Sequence, residues 1–139
     1  MRISFYFIAF AVSLFLSCSN KLVSLKNGKK IDDRLVGTWI GSEKDKQVKG
    51  AEKSWEMIRK PDGTFILNFK IIVNEKTHKN TETGNWWIEN GKFHEFHDVS
   101  GKTDIYQYKV LDANKIKFTS ERINVEMSSE GYEFIDTRK

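Results

Sequence analysis

The residues whose types invite chemistry are His94-Glu95-Phe96-His97. Two histidines four apart on a helix, with a glutamate beside the first, can hold zinc and supply a general base. Here the spacing is three, and the flanking alternation of apolar and polar residues reads as a strand. Successive side chains of a strand point to opposite faces. His94 and His97 therefore cannot close on one metal ion, whose ligands must converge. Glu95 and His97 do share a face. They can hold a polar ligand group together, with Arg59 and Tyr108 if neighbouring strands bring those alongside. A satisfied internal network accounts for the same four residues equally well. The chain has no glycine-rich phosphate loop and no Gly-x-Ser-x-Gly elbow. No catalytic residue, metal site or cofactor motif is read from it, and enzyme chemistry would have to rest on Glu95 and His97 alone.

Elements that could position these residues follow from the pattern. From residue 35 onward, short apolar alternation is broken by turn signals, predicting strands at about 35–42, 53–60, 64–74, 81–88, 92–99, 103–111, 115–122 and 132–137. Pro61-Asp62-Gly63 and Asn90-Gly91 are the strongest turns, since Pro presets φ and Gly accepts φ > 0. Ser100-Gly101 and Asp112-Ala113-Asn114 supply two more. The charged stretch 47–56 is the one candidate for a short helix. Links this short make sequence neighbours pair, which gives an all-β, up-and-down antiparallel meander. Closing it into a barrel removes both edges. About eight strands enclose either packed side chains or one small ligand.

Period two assigns the faces. Phe65, Leu67, Phe69, Ile71 and Val73 point in, as do Tyr106, Tyr108 and Val110, and Ile116 with Phe118. Met57 and Arg59 share a face with Trp55, and Trp86 shares one with Ile88, which leaves Trp87 outside, or inside with Trp86 out if the strand is reversed. An outward Trp suggests a partner surface, a membrane-facing patch or a covered rim. Trp55 and Trp86 are read as core. The inward residues Met57, Arg59, Phe65, Leu67, Phe69, Glu95, His97, Tyr106, Tyr108 and Phe118 are the candidate cavity lining.

The chain has 139 residues, of which 39% are hydrophobic, 13% aromatic and 30% charged. That is too aromatic for a disordered chain and too short for two cores. The net charge of +4 is mild and scattered, and no stacking platform accompanies the lysines, so nucleic acid is not an expected partner. Lys44, Lys46, Lys49 and Lys53 group in the first long loop, which reads as a solvated loop or a contact for acidic lipid or an acidic partner.

The N-terminus has a different character. Arg2 precedes an apolar run through Leu16 that ends in Ser17-Cys18-Ser19-Asn20. The run is shorter than the roughly 20 residues of a membrane-spanning helix and has the form of a secretory signal. Phe15-Leu16-Ser17-Cys18 resembles the lipobox of bacterial lipoproteins, with Phe in place of the usual Leu. The resemblance implies cleavage before Cys18 and acyl chains on that residue. Each buried CH₂ adds about 0.8 kcal/mol, so two or more chains anchor firmly. The expected organisation is a signal at 1–17, a lipidated Cys18 with a flexible tether through residue 33, and a barrel domain at 34–139. Lipoproteins of Bacteroidetes-like bacteria that reach the cell surface carry acidic residues soon after the Cys. None follows here before Asp32, which places the expected anchor in the outer membrane, facing the periplasm.

Leu35-Val36-Gly37-Thr38-Trp39 resembles the Gly-x-Trp motif that opens lipocalin and lipocalin-like folds. The resemblance implies that Gly37 lets the chain enter the barrel base, that Trp39 plugs it, and that a later Arg covers the Trp ring. Arg122 and Arg138 are both candidates. With Pro61-Asp62-Gly63-Thr64 and Asn85-Trp86 in order, the chain is similar to the short lipocalin-like lipoproteins. The implied function is binding a small hydrophobic or amphipathic molecule without catalysis. The alternative is a protein-interaction lipoprotein with a packed barrel, an inhibitor, immunity factor or assembly accessory, using Trp87 and the lysine loop.

Overall fold

A computed structural model describes residues 22–122 and 131–139. The signal, Cys18 and the approach to the last strand at 128–130 lie outside those residues. Among the described residues, ten strands form one antiparallel sheet: β1 (Leu22–Ser24), β2 (Lys30–Asp32), β3 (Gly37–Lys44), β4 (Glu52–Arg59), β5 (Thr64–Val73), β6 (Lys76–Glu89), β7 (Lys92–His97), β8 (Lys102–Asp112), β9 (Lys115–Arg122) and β10 (Glu133–Arg138). A single 3-10 turn, Asp33–Leu35, precedes β3. Each strand from β3 to β10 pairs with the next, and β10 pairs back onto β3. The result is a closed eight-stranded up-and-down barrel, the fold class expected from the meander.

Turn chemistry explains the hairpins. Asp62 Oδ1 accepts from Thr64 N at 2.9 Å, and Gly63 takes φ +84°. Asn90 and Gly91 both have positive φ, the two-residue turn whose twist suits a hairpin. Asn74 and Glu75 form a second turn of this kind. Glu is a poor marker for it, so the sequence reading began β6 near residue 81, whereas it begins at Lys76. The far end of β6 runs beyond its pairing with β7, which stops at Gly84↔His97. Lys76, His78, Lys79 and Asn80 keep that stretch polar, a defence against edge-to-edge association. The stretch 47–56 forms no helix: Glu52 onward is strand. The buried positions of that strand, Lys53, Met57 and Arg59, fall at even spacings, as the two-residue period of a strand requires.

The second difference concerns the tether. Residues 22–32 form the β1–β2 hairpin, and β2 joins the barrel where Lys30 pairs with Ile88. Ile31 and Asp32 are buried. Asp32 accepts from Arg34 Nη2 at 2.6 Å and from Tyr108 Oη at 3.0 Å. Composition made this stretch look solvated because its lysines face outward, while Leu25 and Ile31 hold it to the core.

The base of the barrel is packed solid. Trp39 is fully buried, its Nε1 donates to Leu35 O at 2.9 Å, and the Arg138 guanidinium lies 4.1 Å from its ring centroid. Arg138, not Arg122, is therefore the covering arginine. It also donates to Val36 O at 2.9 Å and Arg34 O at 3.0 Å. These bonds reinforce the closing seam, where β10 and β3 share only two rungs. Gly37 has φ +132°, and a Cβ there would sit 2.6 Å from Arg138 Nη1. The motif glycine thus makes room for the arginine that caps the Trp. Leu35, Phe65, Trp86, Phe93, Ile116 and Phe118 complete this core.

Candidate functional site

Above the base the barrel is not filled. A cavity of about 270 Å³ lies between β4, β5 and the far wall of β6–β8 and β10. Its apolar side is Trp55, Met57, Leu67, Phe69, Ile71 and Phe134. The registers Trp55↔Phe69 and Met57↔Leu67 bring four of these side by side, so strand alternation alone builds the wall. A wider groove of about 450 Å³ crosses the outer surface past Ser54, Glu56, Asn68, Lys70, Lys79 and Thr81. Those residues are exposed or half-exposed strand exteriors. The interior, with buried charge opposite an apolar wall, has the character of a binding site.

Two polar clusters face the apolar wall. At the floor, Arg59 is 2% exposed and donates through Nη2 to Asp136 Oδ2 at 2.7 Å. Its Cζ lies 5.0 Å and 4.9 Å from the ring centroids of Phe93 and Phe118. Asp136 Oδ1 also accepts from Trp55 Nε1 at 2.8 Å. That reach from β4 to β10 passes over Gly41, where a Cβ would meet Trp55 Cζ2 at 2.1 Å. A buried ion pair contributes little net stability, yet losing one partner is costly because the other charge stays buried.

Toward the mouth, His97 sits among three carboxylates. Nδ1 lies 2.7 Å from Glu82 Oε2, and Nε2 lies 3.2 Å from Glu95 Oε1 and 3.4 Å from Asp104 Oδ2. Glu95 pairs with Asp104 across β7–β8, and Gly84, next inward residue to Glu82 on β6, pairs with His97. Burial by itself would push the His97 pKa down. The Asp104 and Glu95 carboxylates outweigh it and raise it to about 11. The imidazole is therefore a fixed cation at neutral pH. A protonated imidazole cannot act as a general base.

Charged and polar side chains also pair near the rim. Lys53 Nζ pairs with Glu43 Oε1 at 2.7 Å and bonds Gln47, and the Tyr132 hydroxyl donates to Glu43. Desolvation, followed by the hydrogen bond to the Glu43 carboxylate, pushes the Tyr132 pKa upward. Gln47 belongs to the β3–β4 loop, whose Lys46 Nζ also reaches Glu133 O at 3.2 Å.

Of the residues expected to line a cavity, Met57, Arg59, Leu67, Phe69, Glu95, His97 and Tyr106 do so. Phe65 and Phe118 face inward but belong to the packed base, 1% and 0% exposed. Tyr108 is held against Asp32 below the cavity. Its pKa is pushed up by burial first and by the Asp32 carboxylate second. Sequence reading missed Glu82, Asp104 and Asp136. Alternation places each on the inner face, but a lone acid on a strand reads as surface charge until the register is known.

His94 and His97 do lie on opposite faces. The His94 ring stacks on Trp87 at 5.2 Å, and Lys29 Nζ lies 3.4 Å from the Trp87 centroid. The outward Trp is thus covered by the N-terminal hairpin. In the lysine loop, Lys44 pairs with Glu52 at 2.8 Å and Lys53 turns inward to Glu43. Among the described residues no cluster of three His, Cys, Asp or Glu is arranged around a metal position. Neither a protein-family model nor a curated protein matches this chain.

Proposed function

We propose that this protein binds one small amphipathic molecule inside its barrel, does no chemistry on it, and is held at the envelope membrane by acyl chains on Cys18. The observation that carries the binding reading is the cavity itself: an apolar wall facing buried charged groups, above a base already packed solid. A barrel needing only stability would continue the apolar packing upward, since buried ions add little to it. The fixed positive charge on His97 supports a role in holding rather than proton transfer.

The anchor reading rests on the sequence of the leader and on Phe15-Leu16-Ser17-Cys18. Three residues, Ser19 to Lys21, separate Cys18 from β1 and span about 10 Å when extended. A lipidated Cys18 would hold the barrel close to the bilayer, with the outer membrane facing the periplasm as the proposed site. Converting Cys18 to Ser should move the protein from the membrane fraction to the soluble fraction of the envelope.

Native mass spectrometry of the protein purified from its own envelope tests the binding reading. A stoichiometric small adduct is the expected result. A clean apo mass, unchanged after incubation with envelope lipid extract, would overturn it and direct attention to a protein partner.

A further inference from the structure

The stretch expected to be a flexible tether contains a hairpin fastened across the closed end of the barrel. Lys30 of β2 pairs with Ile88, just before the Asn90-Gly91 turn, and Asp32 accepts from the Tyr108 hydroxyl. Leu25 packs on the Gly63 turn, where a Cβ would meet its Cδ1 at 2.5 Å. Arg138, which covers Trp39, donates to Arg34 O in the turn that follows β2. Packing therefore sets the point at which the chain leaves the barrel toward Cys18. Ser19, Asn20 and Lys21 bridge Cys18 to Leu22, about 10 Å when extended. The mouth lies at the other end. β5 runs ten residues from Thr64, beside the Gly63 turn, to Val73, beside the Asn74-Glu75 turn, about 33 Å of strand.

The hairpin presents a basic and apolar surface. Lys26, Lys29 and Lys30 are exposed, and no acidic residue lies between Leu22 and Ile31. Register places Leu22, Ser24 and Lys30 on one face of the hairpin, opposite the face of Val23 and the buried Ile31. Leu22 is 44% exposed. It is an apolar side chain open to solvent, on the lysine-bearing face and in the strand nearest Cys18. The exposed acids of this end, Asp33, Asp62, Glu89 and Asp112, lie outside the hairpin, in turns and at strand ends. Basic residues beside an apolar one suit the boundary of an anionic bilayer, where ammonium groups meet phosphates and the apolar side chain enters the headgroup layer.

Resting on the anchor reading above, we infer that the closed end of the barrel docks on an anionic bilayer through the β1–β2 hairpin, so that the mouth faces away from the membrane. The cavity then opens to the aqueous side. Its ligand arrives through water or from another protein, not directly from the supporting bilayer.

The test uses the acylated protein purified from its own envelope, added to preformed vesicles at low salt and treated briefly with an amine-acetylating reagent. Peptide mass spectrometry compares Lys26 and Lys30 with Lys76 and Lys79, which are exposed near the mouth. On phosphatidylcholine vesicles containing phosphatidylglycerol, Lys26 and Lys30 should react about fivefold more slowly than on pure phosphatidylcholine, the scale of one lysine's attraction to an anionic surface. Lys76 and Lys79 should react alike on both. High salt, which screens the surface charge, should restore the fast reaction of the hairpin. Equal hairpin rates on the two kinds of vesicle would overturn the inference and leave the anchor reading standing. Slowing of Lys76 and Lys79 as great as that of the hairpin would overturn it too, by placing the mouth at the bilayer. A protein that stays off both kinds of vesicle, or whose Cys18 carries no acyl mass, defeats the anchor reading itself and the inference with it.

Discussion

The two halves of the barrel are built on the same alternation and reach opposite outcomes. At the base, inward positions of β3, β5, β6, β7 and β9 carry Trp39, Phe65, Trp86, Phe93, Ile116 and Phe118, and the space closes. Toward the mouth the inward positions carry Glu43, Lys53, Glu82, Glu95, His97 and Asp104. Charged side chains at strand spacing pair with one another and cannot interdigitate as hydrocarbons do, so a void remains beside them. The aromatic file Phe93–Phe118–Phe134–Tyr132 connects the halves, with ring centroids 5.1 to 5.7 Å apart at each step. The difference teaches that a barrel of this size becomes a container or a solid according to which residues occupy one face of a few strands.

The comparison breaks first at the base. Trp39→Ala should destabilise the protein by roughly 3–5 kcal/mol in denaturant titration, because a fully buried Trp leaves a large cavity behind. A loss under about 0.5 kcal/mol, the range of surface sites, would mean that the base is not plugged by this residue.

At the boundary between the halves, Asp136→Asn should cost about 3 kcal/mol, since Arg59 stays buried with its countercharge gone. The double exchange Arg59→Met with Asp136→Leu should recover part of that loss, since it removes both charges but leaves Trp55 Nε1 without its acceptor. Equal destabilisation by both variants would show that the pair is worth more than its desolvation, against the view that charge near the floor serves binding.

The mouth should respond least, and to pH. The folded His97 pKa of about 11 lies above the ordinary value of 6.5. The stability this group contributes is therefore fully present below about pH 6.5 and is lost as pH rises toward 11, at no more than about 1.4 kcal/mol per unit. Between pH 7 and 9, below the range of tyrosine ionisation, the wild type should lose stability more steeply than His97→Gln. Parallel slopes in denaturant titrations across that range would show that the carboxylates do not hold the imidazole charged.

Much of this was legible without coordinates. The inward sets on β5, β8 and β9 follow from period two, a property of one strand at a time. That Trp86 and Trp87 take opposite faces follows from it as well, while the structure decides that Trp86 is the inner one. What failed to show were features that depend on two distant segments. The Asn74-Glu75 turn is local, between Val73 and Lys76, and was hidden instead by an unusual residue type at a positive φ. The β1–β2 hairpin looks like a solvated linker because only Leu25, Ile31 and Asp32 turn inward.

By itself the sequence determined the strands, their faces, the meander order and the aromatic base, because alternation and turn chemistry act over a few residues. Only the tertiary structure decided that Arg138 covers Trp39, that Glu82 and Asp104 join Glu95 around His97, and that Arg59 meets Asp136 across β3. Each of those depends on ring closure and cross-strand register, which bring together residues up to about a hundred positions apart. The cavity belongs to the same class: it is the space left between walls, and no single strand records it.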